Sequence, residues 1–250
     1  MYAPFLSNYD STIVFSQLQR DLLARMGVPA KNIAVIPNGV DVDKYSPGLS
    51  AIKAEFQAER LFVYQGRLAP EKNVEALLRA WRQAEIGSQS KLLIVGDGPL
   101  RAGLEPFYGP EYGVHWLGFI GDDKRRIEIL RGADVFILPS LVEGLSLSLL
   151  EGMACGMACL ATEVGADGEV LQDGAGVVLD TNRVRSQLRT LLPLFQDHPE
   201  LGLMLGKKAR QRVLERYTLS KNITQLEKLY EEIVKGQSLH FHPQQTKKAV

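Results

Sequence analysis

The sequence predicts an α/β protein built on a parallel sheet, and three observations predict it. From Arg60 onward short β-rich runs alternate with helical patterns, the order that βαβ units produce. Those runs are mostly continuous apolar stretches rather than strict alternations, which is how strands covered on both faces read. The segments between them carry apolar residues at three- and four-residue spacing, giving each helix one buried stripe.

Taken in order, the first 47 residues stand apart. Ile13–Phe15 reads as the end of a strand. Ser16 and Gln19 then make an S-x-x-Q capping box, Leu18, Leu22, Leu23 and Met26 give the following helix an apolar side, and Gly27 closes it. A strand, IAVI, runs into the turn Pro37-Asn38-Gly39. One αβ unit of this size cannot bury its own faces, so it must lean on something else. Tyr45-Ser46-Pro47-Gly48 reads as a linker.

Predicted strands follow at Leu61–Gln65, Lys91–Val95, Val114–Leu117, Asp134–Leu138, Ala158–Thr162 and Gly176–Leu179. Val74, Leu77, Leu78 and Trp81 form the helical stripe after the first of them. Two more helical patterns, Met204/Leu205/Ala209/Val213 and Ile223/Leu226/Tyr230/Ile233, come with no strand behind them. Gly236–Val250 has no periodicity and reads as a frayed tail, with His240 and His242 as tail residues rather than ligands.

Composition narrows the function. With 29 Lys+Arg against 29 Asp+Glu the chain of 250 residues is formally neutral, and basic residues form no long runs, so nucleic acid is not an expected partner. A hydrophobic content of 45% excludes disorder, and the length suits one domain plus a piece of another. No apolar run approaches the roughly 18 residues of a membrane span. The start, MYAPFLSNYD, lacks the pattern of a signal peptide, so the expected location is cytoplasmic, with peripheral association at the inner face of the membrane allowed. Cys155 and Cys159 have no second pair and no nearby His, and read as buried free thiols.

Three groups carry chemistry. In Glu143–Gly156, EGLSLSLLEGMACG, a helix begins near Leu145 or Ser146 and directs its free N–H groups at the C-terminal edge of the sheet, an anion site. Glu143 lies before that helix and Glu151 within it. Two carboxylates beside a phosphate would accept protons from sugar hydroxyls, although the same pair fits solvated helix charges. In Gly66–Lys72, GRLAPEK, Pro70 suits a first helical turn, and Arg67 and Lys72 can reach the same edge, where two cations can hold a diphosphate, although either taken singly fits a surface charge. In Gly96-Asp97-Gly98-Pro99 the glycines allow close backbone approach to a ligand, or simply serve a turn.

These pieces in this order resemble the retaining GT-B-fold glycosyltransferases of the large nucleotide-sugar family (glycosyl transferases group 1). The match runs over about residues 10–235, through IPNGVDVDKYSP, GRLAPEK, VGDGP and EGLSLSLLEGMACG, with TEVGADGEVLQDGAGVVL placing Glu169 at a matching acidic position. The resemblance implies a Rossmann-like sheet as the C-terminal half of a GT-B fold, a small N-terminal αβ remnant and C-terminal helices. It further implies a remnant of an acceptor domain plus linker at 1–47, a nucleotide-sugar donor-binding domain at 48–220, a crossover helix at 221–235 and a disordered tail at 236–250. Arg67 and Lys72 would neutralise the donor diphosphate, helped by the amides around Ser146 and Leu147. Glu143 would contact donor-sugar hydroxyls, Glu151 the ribose hydroxyls, and Phe119 and Ile120 the base through backbone groups, with Gly66, Gly96 and Gly98 close to the donor.

Serine at 146 and alanine at 166 replace glycines common in the family, and the Ser146 hydroxyl is a candidate phosphate ligand. Asp41-Val-Asp43 mimics a metal motif but follows the linker rather than a nucleotide-binding strand, so no metal and no other cofactor is expected. His115 and His198 read as structural, and no general base is visible. The implied activity is sugar transfer from a nucleotide sugar, expected to be UDP-linked, to a sugar or lipid-linked glycan acceptor with retention. Two alternatives stand beside it. One is a nucleotide-sugar-binding subunit or truncated fragment that is inactive without a separate acceptor-domain chain; the other is a sugar-nucleotide epimerase.

Overall fold

The computed structural model describes residues 3–236, with side chains from Phe5 onward. The predicted tail, with His240 and His242, lies outside the described residues. The chain divides into two compact units: residues 38–219, and the described residues up to Pro37 together with those from Ser220 onward.

The smaller unit begins with a short helix α1 (Ala3–Leu6) and the strand β1 (Thr12–Val14), followed by α2 (Gln17–Arg25) and β2 (Ile33–Val35), which pairs parallel to β1. Ser16 caps α2 by accepting the Gln19 N–H at 3.2 Å, while Gln19 Oε1 accepts the Phe15 N–H at 2.8 Å. The return arm of the capping box therefore lands one residue earlier than the pattern implies. Of the predicted stripe on this helix only Leu23 is half-buried; Leu18, Leu22 and Met26 are exposed. Helix α11 (Leu219–Val234) belongs to this unit through Leu229, fully buried against Ala34 and Ile36, with Leu226 and Ile233 beside it. Asn222 Nδ2 donates to the Pro37 carbonyl at 2.6 Å. The predicted stripe on α11 is thus corrected: Ile223 and Tyr230 are exposed and Leu229 is the buried residue.

The larger unit is a six-stranded sheet, every pair parallel, in the order β5-β4-β3-β6-β7-β8. Its strands are β3 (Arg60–Gln65), β4 (Ser90–Val95), β5 (Val114–Gly118), β6 (Val135–Leu138), β7 (Ala158–Thr162) and β8 (Val177–Leu179). The helices that accompany them are α3 (Ile52–Glu55), α4 (Val74–Gln83), α5 (Arg101–Leu104), α6 (Asp123–Gly132), α7 (Leu147–Ala154), α8 (Asp167–Leu171), α9 (Val184–Asp197) and α10 (Pro199–Arg216). Leu61 to Tyr64, Val135 to Leu138 and Ala158 to Thr162 are all buried, as continuous apolar strands between two helical layers must be. On α4 the buried side chains are Val74, Leu77, Leu78, Ala80 and Trp81, the predicted stripe with Ala80 added. On α10 Ala209 and Val213 are buried, whereas Met204 is exposed. Gly206 replaces it at the contact, since a Cβ there would lie 1.9 Å from the Gly156 carbonyl oxygen.

This strand order reverses direction between β3 and β6, the first and fourth strands of the sheet. Loops leaving the C-terminal ends of those two strands diverge to opposite faces and leave a crevice, the place where open α/β sheets bind ligands. The loops concerned are residues 66–73 and 139–146.

Candidate functional site

The loop after β3 does not run straight into α4. Pro70–Lys72 forms a separate 3-10 turn, and Asn73, at φ 51°, breaks it from the helix. Pro70 therefore opens that turn and not α4, and Lys72 is held at its end. The loop after β6 is stitched to the same turn by the Leu141 N–H, which donates to the Glu71 carbonyl at 2.7 Å. Lys72 Nζ and Glu143 Oε1 then meet at 2.6 Å, with side chains only 21% and 10% exposed. Ser140 Oγ donates to the same carboxylate oxygen at 2.7 Å, which leaves Glu143 Oε2 available. Arg67 is exposed; its carbonyl accepts the buried Tyr64 hydroxyl at 2.7 Å, and its guanidinium has no partner among the described residues. Burial with Glu143 and Glu71 nearby pushes the Tyr64 hydroxyl well above its ordinary range, so it remains a neutral donor.

Helix α7 starts at Leu147 with Ser146 as its cap. The Ser146 hydroxyl accepts the Leu149 N–H at 3.3 Å and bonds Ser148 Oγ at 3.0 Å, so it closes the helix start as a cap. The Ser146 amide is also committed, donating to Asp167 Oδ1 at 2.8 Å. Of the first-turn amides expected to meet an anion, Ser146 drops out and Leu147 remains, joined by Ser148. Their open N–H groups keep the helix start electropositive.

Asp167 is fully buried, and its Oδ2 has no partner among the described residues. Burial, reinforced by Glu143, lifts its pKa to about 7 against the pull of the Ser146 amide and Lys72. Because the folded pKa lies above the unfolded one, the associated stability is present in full below the unfolded pKa near 3.8 and is lost as pH rises toward 7. Chemical denaturation between pH 5 and 8 is expected to show this loss in the wild type and a flatter profile in Asp167→Asn. Identical profiles would contradict it.

Glu151, inside α7, sits in a different environment. Gln65 Nε2 donates to its Oε2 at 2.7 Å, and the Tyr45 hydroxyl hydrogen-bonds it as well. Desolvation raises the Glu151 pKa despite these partners and the charges of Arg126 and Lys44. Tyr45, itself pushed up to about 12 by burial and by Glu151, accepts from Arg126 Nη2 at 3.0 Å. A glutamate so placed is a fixed acceptor for hydroxyl groups rather than a solvated helix charge.

The glycines serve the crevice indirectly. A Cβ on Gly96, at φ 129°, would lie 1.9 Å from the Gly66 carbonyl oxygen, and one on Gly98 would lie 2.4 Å from that of Leu68. The loops after β3 and β4 are in backbone contact, laced by Gly66 N–H to the Val95 carbonyl at 3.0 Å and Leu68 N–H to the Asp97 carbonyl at 2.9 Å. Gly96 and Gly98 are therefore required by the neighbouring loop. A similar clamp holds the Glu143 loop: Gly165, at φ 57°, would place a Cβ 2.3 Å from the Glu143 carbonyl oxygen, and the Ala166 N–H donates to the Gly144 carbonyl at 2.7 Å. Alanine at 166 is accommodated without loss of that contact. Asn38 adds a bond from Nδ2 to the Leu145 carbonyl at 2.9 Å.

Phe119 and Ile120 follow the edge strand β5; the Phe119 ring is 78% exposed and Ile120 is half-buried. Neither contacts the Lys72–Glu143 pair through a hydrogen bond. Asp41 Oδ1 accepts the N–H groups of Asp43 and Lys44, so Asp41-Val-Asp43 is a turn. Among the described residues no group of His, Cys, Asp and Glu could hold a metal ion, and no helix is long and apolar enough to cross a membrane. Cys155 and Cys159 are buried free thiols, both with pKa raised by burial. His115 packs edge-on against Phe56, and the exposed His198 contacts Glu200 at 3.0 Å.

Asp167, Tyr45, Gln65, Ser140 and Gly165 are site residues that the sequence patterns did not single out. Gly165 and Asp167 fall within the stretch TEVGADGEVLQDGAGVVL and Tyr45 within IPNGVDVDKYSP, while Gln65 and Ser140 lie in none of the motifs.

A sheet of this order, with this crevice and these helices, is the C-terminal domain of the GT-B fold. A 1.35 Å crystal structure of the C-terminal domain of a glycosyl transferase group 1 family protein from Francisella tularensis matches with TM-score 0.64 at 20% identity, covering 72% of this chain and all of that one. Sucrose-phosphate synthase from Thermosynechococcus elongatus matches with TM-score 0.81 at 25% identity, over 94% of this chain and 61% of that one. The model of the glycosyl transferases group 1 family matches residues 49–212, and that of glycosyltransferase family 4 matches residues 1–44. The chain belongs to the glycosyl transferases group 1 family. Among curated relatives, the UDP-Gal:alpha-D-GlcNAc-diphosphoundecaprenol alpha-1,3-galactosyltransferase of Escherichia coli is 28% identical over 245 residues, 92% of this chain and 59% of that protein. The chain spans a little over half the length of the first curated relatives it matches.

Proposed function

We propose that this chain supplies the donor-binding half of a retaining glycosyltransferase that moves a sugar from a UDP-sugar to a sugar or lipid-linked glycan acceptor. The observation that carries the reading is the meeting of Lys72, Glu143 and the open first turn of α7 at the sheet's switch point. A diphosphate placed there meets Lys72, the unpartnered Arg67 guanidinium and the Leu147 and Ser148 amides. As the bond to the sugar breaks, negative charge grows on the leaving phosphate. Fixed donors already directed at that position stabilise it without reorganising.

In this reading Glu143 keeps Oε1 for Lys72 and Ser140 and offers Oε2 to hydroxyls of the donor sugar. Glu151, oriented by Gln65 and Tyr45, receives the ribose hydroxyls. Phe119 and Ile120 lie beside the base, and Gly66, Gly96 and Gly98 let the loops after β3 and β4 close on each other next to the donor. The UDP assignment draws on the Escherichia coli relative, whose name specifies UDP-galactose. A separate acceptor-domain chain is the proposed partner.

Calorimetric titration of the purified chain with UDP tests binding, and release of UDP from UDP-glucose or UDP-galactose tests turnover. Saturable binding in the micromolar range is expected; its absence would sink the proposal. Binding without UDP release identifies a binding half that works only beside an acceptor domain, and an altered sugar nucleotide without acceptor identifies an epimerase.

A further inference from the structure

Asp167 has no role in the donor reading, yet its carboxylate is tightly constrained. It is fully buried, its Oδ1 holds the Ser146 amide at 2.8 Å, and its Oδ2 meets no partner among the described residues. The amide it holds adjoins the open Leu147 amide, so Asp167 stands directly behind the helix start that would take the phosphates. The titratable groups bearing on it are Glu143, of like charge, and Lys72, of opposite charge; Glu169 shares its helix, and Glu163 packs against the adjacent Gly168.

A buried carboxylate with one bare oxygen is costly to keep ionised, and a second anion nearby raises that cost. A diphosphate at the helix start is such an anion, and it also draws on the positive charge of Lys72. We propose that Asp167 is a positioning residue for the donor diphosphate, taking a proton from solvent as the diphosphate binds and returning it on release. In the protonated form Oδ1 still accepts the Ser146 N–H, so the helix start stays in place while the negative charge behind it is removed. The same residue thus holds the site rigid in both states. Its negative charge is present only while the phosphates are absent. This inference rests on the donor reading above.

The test is calorimetry of UDP binding to the full chain at pH 7.5 in buffers of different ionisation heat, with wild type and Asp167→Asn compared. The asparagine keeps an oxygen for Ser146 but cannot titrate. Wild type should take up at least about half a proton more than Asp167→Asn does, and its affinity should fall by roughly 5- to 25-fold relative to Asp167→Asn between pH 6.5 and 8.5. Should Asp167→Asn fail to fold, a carboxyl-carbon NMR titration of the wild type with and without UDP reads the same quantity. Titration of Asp167 at higher pH in the presence of UDP supports the proposal. Equal proton counts, or a titration unmoved by UDP, overturn it while leaving the donor site standing, whereas UDP that binds at no pH overturns both.

Discussion

Replacing Lys72 with methionine is expected to weaken UDP binding by roughly 10- to 100-fold, the loss of one or two charge-assisted hydrogen bonds worth about 1.5–3 kcal/mol. Methionine keeps most of the aliphatic stem, so the effect isolates the ammonium group. The same change leaves Glu143 without its cation at a position where its side chain is only 10% exposed, so folding stability should also fall, by about 2–4 kcal/mol. The two losses separate in the double variant Lys72→Met with Glu143→Gln. Removing the carboxylate charge as well should restore most of the stability without restoring affinity. Calorimetry and urea denaturation measure the two quantities, and unchanged UDP affinity in Lys72→Met would remove the diphosphate assignment altogether.

Gly96→Ala is expected to be the most damaging conservative change at the sheet edge. The new Cβ would sit 1.9 Å from the Gly66 carbonyl oxygen, and the backbone at φ 129° is strained for any L side chain. Because the obstacle is backbone fixed by β3, nothing nearby can move aside cheaply. A cost above about 3 kcal/mol, or roughly 6–12 °C in melting temperature for a chain of this size, is the expected result. Gly103→Ala is the control. It lies in α5 with nothing within 4 Å of its Cβ, and alanine there should be neutral or stabilising by up to about 1 kcal/mol. Comparable melting temperatures for the two variants would show that the loops after β3 and β4 are not in contact as described.

These cases mark what could be read in the sequence. The sheet was legible because β3, β6 and β7 are continuous apolar runs, and a strand buried on both faces has no other way to look. The loops that carry chemistry were legible because glycine, proline and charge concentrate where strands end. The Lys72–Glu143 contact joins residues 71 apart, and pairing at that separation is set by strand order, which no local pattern encodes. Asp167 was harder still. An acidic residue in a glycine-rich turn ordinarily reads as exposed, and only the closure of that turn on the Glu143–Gly144 backbone buries it. Amphipathic stripes misled in the smaller unit for a related reason: spacing identifies an apolar face but not whether anything covers it, and Leu18, Leu22, Ile223 and Tyr230 stand exposed.

The segment 38–219 begins and ends at one point. The Val40 N–H donates to the Tyr217 carbonyl and the Leu219 N–H to the Val40 carbonyl, each at 2.9 Å, and Gly39 is a glycine because the Thr218 backbone leaves no room for a Cβ. A segment whose ends are fastened to each other behaves as a detachable cassette. Its two ends can be joined by a short loop and new termini opened at an exposed turn without altering the sheet order. The order of motifs along the chain is then separable from their order in space, and a permuted cassette that still binds UDP would retain its ligand chemistry independently of the chain that carries it.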